Sequence, residues 1–305
     1  MPFTPWPYFQ QFPKAKGNDV PSIHPTAVVD PRAEIAAEVS IGPFCVIESD
    51  VVIEAGCRLA SHVVVKMGTR LGQNNQVAEG TVLGGRPQHI HAGKQVGRLI
   101  IGTGNTIREH VTIHSGLHDD DRTMVGDNNF IMVNVHIAHD CHVGDSSIMA
   151  NNAMIAGHVT VENRAYISGA VGVHQFCRIG QLAMVGGQAH ITRDVPPFIT
   201  VDGLSSEVVG LNRVGLQRNG FTEEDLIQLK AAYRVIYRSG LSWNDALATL
   251  KRDFKTGRAA AFYEFLKVGE RGFVQERRAR RSTLKLFAAD EVKRTASMNV
   301  RPAAG

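Results

Sequence analysis

No run in this sequence approaches the ~18 consecutive apolar residues that a membrane-spanning helix needs, which excludes an integral helical membrane protein. The opening residues, MPFTPWPYFQQFPKAKGND, lack a leading positive charge followed by an apolar segment, so no secretory signal is expected. Cysteine is scarce, at four residues. Cys141 and Cys177 fall 36 positions apart, and free thiols in a reducing, cytoplasmic compartment are the simpler expectation. The phosphate-cradling G-x-x-x-x-G-K-[ST] loop, the dinucleotide turn G-x-G-x-x-G and the serine elbow G-x-S-x-G are all missing. A formal net charge of +4 is too small to argue for nucleic acid by itself.

What the chain does have is an ordinary soluble composition, 43% hydrophobic and 20% charged. Its 305 residues suggest two domains at about 150 residues each. Charge is unevenly spread: residues 1–209 carry an excess of five acidic side chains, and residues 210–305 an excess of nine basic ones. The basic end is a candidate docking surface for an acidic partner.

The dominant pattern is a period of six. Stepping by six from Ile23 to Ile191 crosses 29 positions, of which 26 are aliphatic; only His89, Gln95 and Asp119 break the series. An amphipathic helix cannot produce this, because a step of six walks around a 3.6-residue helix. Hexapeptides led by Ile, Leu or Val build the left-handed parallel β-helix, in which three short strands make one triangular coil of 18 residues. Each coil pairs with the next at about 4.8 Å. The two phase breaks become loops near 84–100 and 114–124, and loops projecting from such a prism are where function concentrates.

The reading divides the chain into an N-terminal extension (1–22), the β-helix (23–200), a helical C-terminal domain (201–272) and a basic, poorly ordered tail (273–305). Thr222 to Asp225 reads as a helix cap, with Leu226, Leu229, Tyr233 and Ile236 at helical spacing and Gly240 as the stop. A second helix opens at Ser242–Asp245 and carries Leu247, Leu250 and Phe254. A third runs from about Ala259 to Val268.

Five histidines, His136, His139, His142, His158 and His174, fall outside the inward aliphatic positions. The 18-residue coil places His139, Gly157 and Gln175 on one vertical line, with Asp140 and His158 beside it. An imidazole with an adjacent carboxylate, a glycine one coil away, and amide and imidazole groups nearby form an acid–base site. The rival is a zinc site, since imidazole clusters bind that ion. No single trio matches the arrangement of the β-helical carbonic anhydrases, and no metal is expected.

The run IAHDCHVGDSSIMANNAMIAGHVTVENRAYISGAVGVHQFCRIG, then DVPPF, GLNRVGLQRNGF and AAYRVIYRSG, resembles the UDP-N-acetylglucosamine O-acyltransferases over roughly residues 23–272. The resemblance implies a homotrimer with active sites between neighbouring prisms and no cofactor beyond the phosphopantetheine of acyl carrier protein, which presents the acyl donor. It implies transfer of a 3-hydroxyacyl group to the sugar 3-hydroxyl of UDP-N-acetylglucosamine, the first step of lipid A synthesis. By position, His139 matches the general base, Asp140 its orienting carboxylate and Gly157 the backbone donor to the oxyanion. His136, His158, His174 and Gln175 match residues lining the acceptor and pantetheine cleft. Asn212 and Arg218 match C-terminal contacts, and Gly187 bounds the acyl pocket. Where the family usually carries Gln-Asp-x-Lys for the sugar nucleotide, this chain has Gln88, His89, Ile90 and His91; Gln217 and Asn219 likewise flank Arg218 in a less basic strip. A paralogue acting on another nucleotide sugar, a zinc-dependent hexapeptide enzyme and a non-catalytic trimeric scaffold are the alternatives.

Overall fold

A computed structural model describes residues 20–277. Its strands form three sheets of 11, 9 and 8 strands. The chain visits them in strict rotation from Ser22–Ile23 in the first sheet, Val28–Val29 in the second and Glu34–Ile35 in the third. Pairing is parallel throughout the coils, and the register repeats every 18 residues: Ile137 opposes Ile155, which opposes Val173, which opposes Ile191. This is the parallel β-helix that the period of six demands.

Three positions of each hexapeptide explain the shape. The aliphatic lead residue points inward and is almost wholly buried, as at Ile47, Ile53, Ile113 and Ile137. Two residues earlier a small residue also points inward, as at Cys45, Cys57, Ala153 and Ala165, where the corner leaves little room. Three residues after the lead, the backbone turns through the left-handed region: Asp50, His62, Asp140 and His158 have φ of 54°, 60°, 59° and 59°. That conformation costs a side-chain-bearing residue about 1 kcal/mol or more. Pairing between turns of successive coils offsets it, as in the His158 N–H donating to the His139 carbonyl at 3.0 Å. All four cysteines are buried as free thiols.

Polar residues occupy one inner column and satisfy each other. The Asn105 amide donates to Asn75 Oδ1, Asn129 donates to Asn105 Oδ1, and the Ser147 N–H donates to Asn129 Oδ1. A buried amide left unpaired there would cost about 1–3 kcal/mol, so the ladder is kept whole or not at all.

The phase breaks are insertions of whole hexapeptides. Val77 opposes Ile107 across 30 residues and Ile107 opposes Ile131 across 24, against 18 in a plain coil. The loops are shorter than the sequence suggests, 86–97 and 115–121. Their flanks are drawn into pairing as the strands Val82–Gly85, Arg98–Ile101, Thr112–His114 and Arg122–Val125.

Beyond Ile191 the stack is closed by Ile199–Val201, which pairs with Met184–Val185, and by Val208–Leu211, which returns antiparallel. An antiparallel last strand caps an edge that would otherwise offer unpaired backbone groups. Four helices follow: α1 (Arg213–Arg218), α2 (Glu223–Arg238), α3 (Trp243–Asp253) and α4 (Ala260–Leu266). The Thr222 capping box and the Ser242 cap are as the sequence implies. The short α1 was not foreseen, because its start is marked only by Asn212, whose side chain accepts from Gly215 N. Arg178 ties helices to prism: it pairs with buried Asp194 at 2.7 Å, donates to the Phe265 carbonyl and lies over the Phe265 ring.

Residues 273–277 differ from the expected tail. Val274 is buried and its N–H donates to the Asp194 carbonyl, while Glu276 accepts from Tyr233 and Arg238. The apolar Phe273-Val274 pair and the carboxylate draw the segment onto the helices. The remainder of the expected extension and tail, residues 1–19 and 278–305, lies outside the described residues.

Candidate active site

One edge of the prism gathers most of the chemistry. Both loops leave where the chain passes from the second sheet to the third, and the next three turns at that edge are 138–141, 156–159 and 174–177. His139, Gly157 and Gln175 therefore rise in a column beside the loops.

His139 is buried, at 7% exposure, and its Nδ1 lies 2.7 Å from Asp140 Oδ2. A carboxylate can only accept, so Nδ1 carries the proton and Nε2 keeps its lone pair. Asp140 is itself held from two sides: its N–H donates to Thr123 Oγ1 at 2.8 Å, and its Oδ1 accepts from the Leu117 N–H at 3.2 Å. The left-handed turn at Asp140 and the 115–121 loop together aim the carboxylate at the imidazole. This is the geometry of an imidazole base with an orienting carboxylate.

Gly157 faces that base. A Cβ at this position would fall 2.6 Å from His139 Cε1 and 2.8 Å from Nε2, so no side chain fits without displacing the ring. The left-handed residue of its turn is His158, not Gly157. The glycine is thus required by close approach rather than by turn geometry. No hydrogen bond from its N–H is formed among the described residues, which leaves that backbone donor unpaired. We expect Gly157→Ala to lower turnover by about 100-fold by shifting a general base worth roughly 10²–10⁴, with melting little changed. Wild-type turnover in a steady-state assay would refute the packing argument.

His158 stacks on Phe176 at 4.6 Å between ring centroids, and its Nε2 stands 3.7 Å from Asp140 Oδ2. Burial pushes its pKa down, against the opposing pull of Asp140. His136 projects from the second sheet with Nδ1 2.8 Å from Thr112 Oγ1, and burial lowers its pKa too. His174 and Gln175 are exposed in the uppermost of these turns. From the loop, His89 sets its ring edge-on to His139 at 5.5 Å, with His91 at 5.6 Å from His89; Gln88 is exposed beside them.

Three expected site residues lie elsewhere on the chain. Gly187 sits in the turn from the first sheet to the second, where a Cβ would meet only the Gly169 carbonyl oxygen at 3.4 Å and the Ser168 Cβ at 3.9 Å. Asn212 caps α1 and donates its amide to the Leu182 carbonyl. Arg218, the last residue of α1, is exposed and makes no ion pair among the described residues. A single chain does not bring these three to His139.

His114 is the residue that sequence reasoning missed. It is 7% exposed, its ring lies 4.7 Å from His136, and its Nδ1 has no partner. Burial, then the neighbouring His136 and His139, pushes its pKa down to about 4. Its signal was faint: it directly follows the inward Ile113, where a plain coil would turn outward, whereas here it pairs with Gly85 and packs against His136.

Known proteins resemble this chain at both levels. The family described as "Udp N-acetylglucosamine O-acyltransferase; Domain 2" matches residues 194–274, and bacterial transferase hexapeptide repeats match 32–66 and 122–157. The chain is 43% identical over 255 residues to the acyl-[acyl-carrier-protein]–UDP-N-acetylglucosamine O-acyltransferase of Halorhodospira halophila, covering 83% of this chain and 99% of that protein. It is 42% identical over 259 residues to the protein of the same name from Janthinobacterium sp., with the same coverage. Among solved structures, the UDP-N-acetylglucosamine acyltransferase of Francisella novicida superposes with a TM-score of 0.81 at 37% identity, over 83% of this chain and 94% of that one. With a β-helix, a helical end and relatives matched along nearly their whole length, the chain belongs to the UDP-N-acetylglucosamine O-acyltransferase family.

Proposed function

We propose that this acyltransferase moves a 3-hydroxyacyl group from acyl carrier protein to the 3-hydroxyl of UDP-N-acetylglucosamine; the names of its relatives give the acyl carrier protein donor and O-acylation of that sugar nucleotide. The observation that carries the reading is the His139–Asp140 pair with Gly157 packed against the imidazole. His139 Nε2 takes the hydroxyl proton as the sugar oxygen attacks the thioester carbonyl. The Gly157 N–H donates to the oxyanion, a type of contact commonly worth 10²–10³ in rate. When the intermediate collapses, the ester forms, the carbon–sulfur bond breaks, and His139 returns its proton to the departing thiol. Turnover of purified protein with acyl carrier protein thioesters against a panel of UDP sugars tests this; no transfer to any sugar would sink it.

Two features support a cleft shared between copies. Gly187 stands on another edge than His139, and Asn212 and Arg218 lie at the two ends of α1, so a site using all of them needs a neighbouring prism. The outward face of the second sheet also exposes Val28, Val46 and Met154. No helix among the described residues is long and apolar enough to cross a membrane, which accords with a donor and acceptor met in the cytoplasm. His89 beside the base favours one second reading, a different amino-sugar nucleotide as acceptor, and the same panel decides it.

Donor docking falls to the basic C-terminal face. Arg218, Lys230 and Arg234 are exposed. Arg238 is not available, since it pairs with Glu276 and lies over Tyr233. Reversing Lys230 and Arg234 to Glu should raise the KM for acyl carrier protein several-fold and flatten its salt dependence, because such steering fades as the Debye length falls below about 10 Å. The KM for the sugar nucleotide should hardly move. Equal effects on both constants would remove this face from donor binding.

A further inference from the structure

The same edge of the prism presents an arrangement that acyl transfer does not need. His139, Asp140 and His158 each place a ligating atom within 4.8 Å of the other two. His89 sets a third imidazole edge-on to His139 at 5.5 Å, while His158 does so at 5.1 Å. Imidazoles bound to one tetrahedral ion through bonds of 2.0–2.1 Å hold their ring centres about 5 Å apart. Ligand atoms on such an ion lie about 3.4 Å from each other, and the 3.7 Å between His158 Nε2 and Asp140 Oδ2 is already near that spacing. Only the 2.7 Å His139–Asp140 hydrogen bond must open, and by less than an ångström.

We infer that His139, Asp140 and His158 form an inhibitory zinc site, with His89 of the 86–97 loop in the fourth position. The donor set, three nitrogens and one carboxylate oxygen, suits zinc and not magnesium, which prefers an all-oxygen octahedron. Binding at His139 Nδ1 displaces the proton shared with Asp140 onto Nε2, so the ring ligates as a neutral imidazole. It also takes from His139 both its orienting carboxylate and its freedom to accept the acceptor's proton. The metal-free enzyme is therefore the active form, and zinc and the sugar nucleotide exclude one another. The inhibitory role rests on the proposed function of His139; the binding does not.

The test uses the full-length chain after chelator treatment, titrated with zinc chloride by calorimetry and with cobalt chloride by visible absorption. One saturable site per chain, with the visible bands of four-coordinate cobalt, is expected. His158→Gln and His89→Gln should each weaken zinc at least tenfold without lowering Tm, the loss typical of a removed ligand or its support. His142→Gln, on the exposed outer face of the third sheet, should bind as the parent does. No saturable site, or equal affinity in the His89→Gln/His158→Gln double variant, overturns the site. In acyl-transfer assays zinc should inhibit over the concentrations at which it binds, and added UDP-N-acetylglucosamine should relieve that inhibition. Binding without inhibition overturns the inhibitory role. If His139→Ala then also keeps its activity, the general-base reading has failed as well, so the two failures are told apart.

Discussion

Replacing His139 by alanine should reduce acyl transfer at least 10²-fold and leave the β-helix intact. The size follows from losing a positioned general base, typically worth 10²–10⁴ in rate. The folding expectation has a separate cause. His139 follows the inward Ile137 by two positions and lies in the turn, where its buried ring contacts Asp140, His158 and His89 but fills no place in the aliphatic stack. Its backbone carbonyl, which accepts from the His158 N–H, is kept in the variant. Turnover under saturating donor and acceptor, with circular dichroism and melting as controls, checks both halves. More than about a tenth of parental turnover would contradict the base assignment. Chelator treatment of the parent enzyme should not lower its rate, because the mechanism routes nothing through a metal.

The largest effect on stability should come from Ile137→Asp. Ile137 is fully buried and stacks between Ile113 and Ile155 in adjacent coils, so the change puts a carboxylate inside a column that is aliphatic on both sides. No Lys or Arg is buried among the described residues to pair with it. Burying an unpaired carboxylate costs several kcal/mol even after the group neutralises itself, a large part of a typical folding stability of about 5–15 kcal/mol. The variant should melt far below the parent or fail to accumulate in soluble form. Ile137→Val, which removes one methylene, should cost only about 1 kcal/mol. A soluble Ile137→Asp protein with an unchanged Tm would mean that residue 137 does not point inward, and would undo the assignment of every coil in phase with it.

Much of the architecture was legible because a β-helix is nearly one-dimensional. Each coil contacts only its neighbours, so a local period of six is also the global packing rule. The same arithmetic placed Gly157 above His139 and His158 above Asp140, since stacked positions differ by one coil. It weakened wherever the chain left the repeat. The flanks of both loops look unpatterned in sequence but pair as strands, because strands of the adjoining coils are present to receive them. His114 was passed over because it lies one residue beyond the inward Ile113, where the strand is lengthened by an irregular pairing with Gly85 that the period does not show. Glu276 was read as part of a solvated tail because its partners, Tyr233 and Arg238, stand 43 and 38 positions away on α2.

The sequence alone therefore determined the coil, its inward face, the position of the two insertions and the vertical alignment of His139, Gly157 and Gln175. All of these follow from a repeat whose step is set by backbone geometry. Only the tertiary structure decided how the insertions fold back on that column: that the Leu117 N–H and Thr123 aim Asp140, that His89 meets His139 edge-on, and that Gly157 has no room for a methyl group. It likewise decided that Arg238 is spent on Glu276, that Gly187 stands on another edge of the prism and that Asn212 and Arg218 lie at the ends of α1. These are contacts between segments with no common period, and their geometry depends on side-chain packing that no spacing rule encodes.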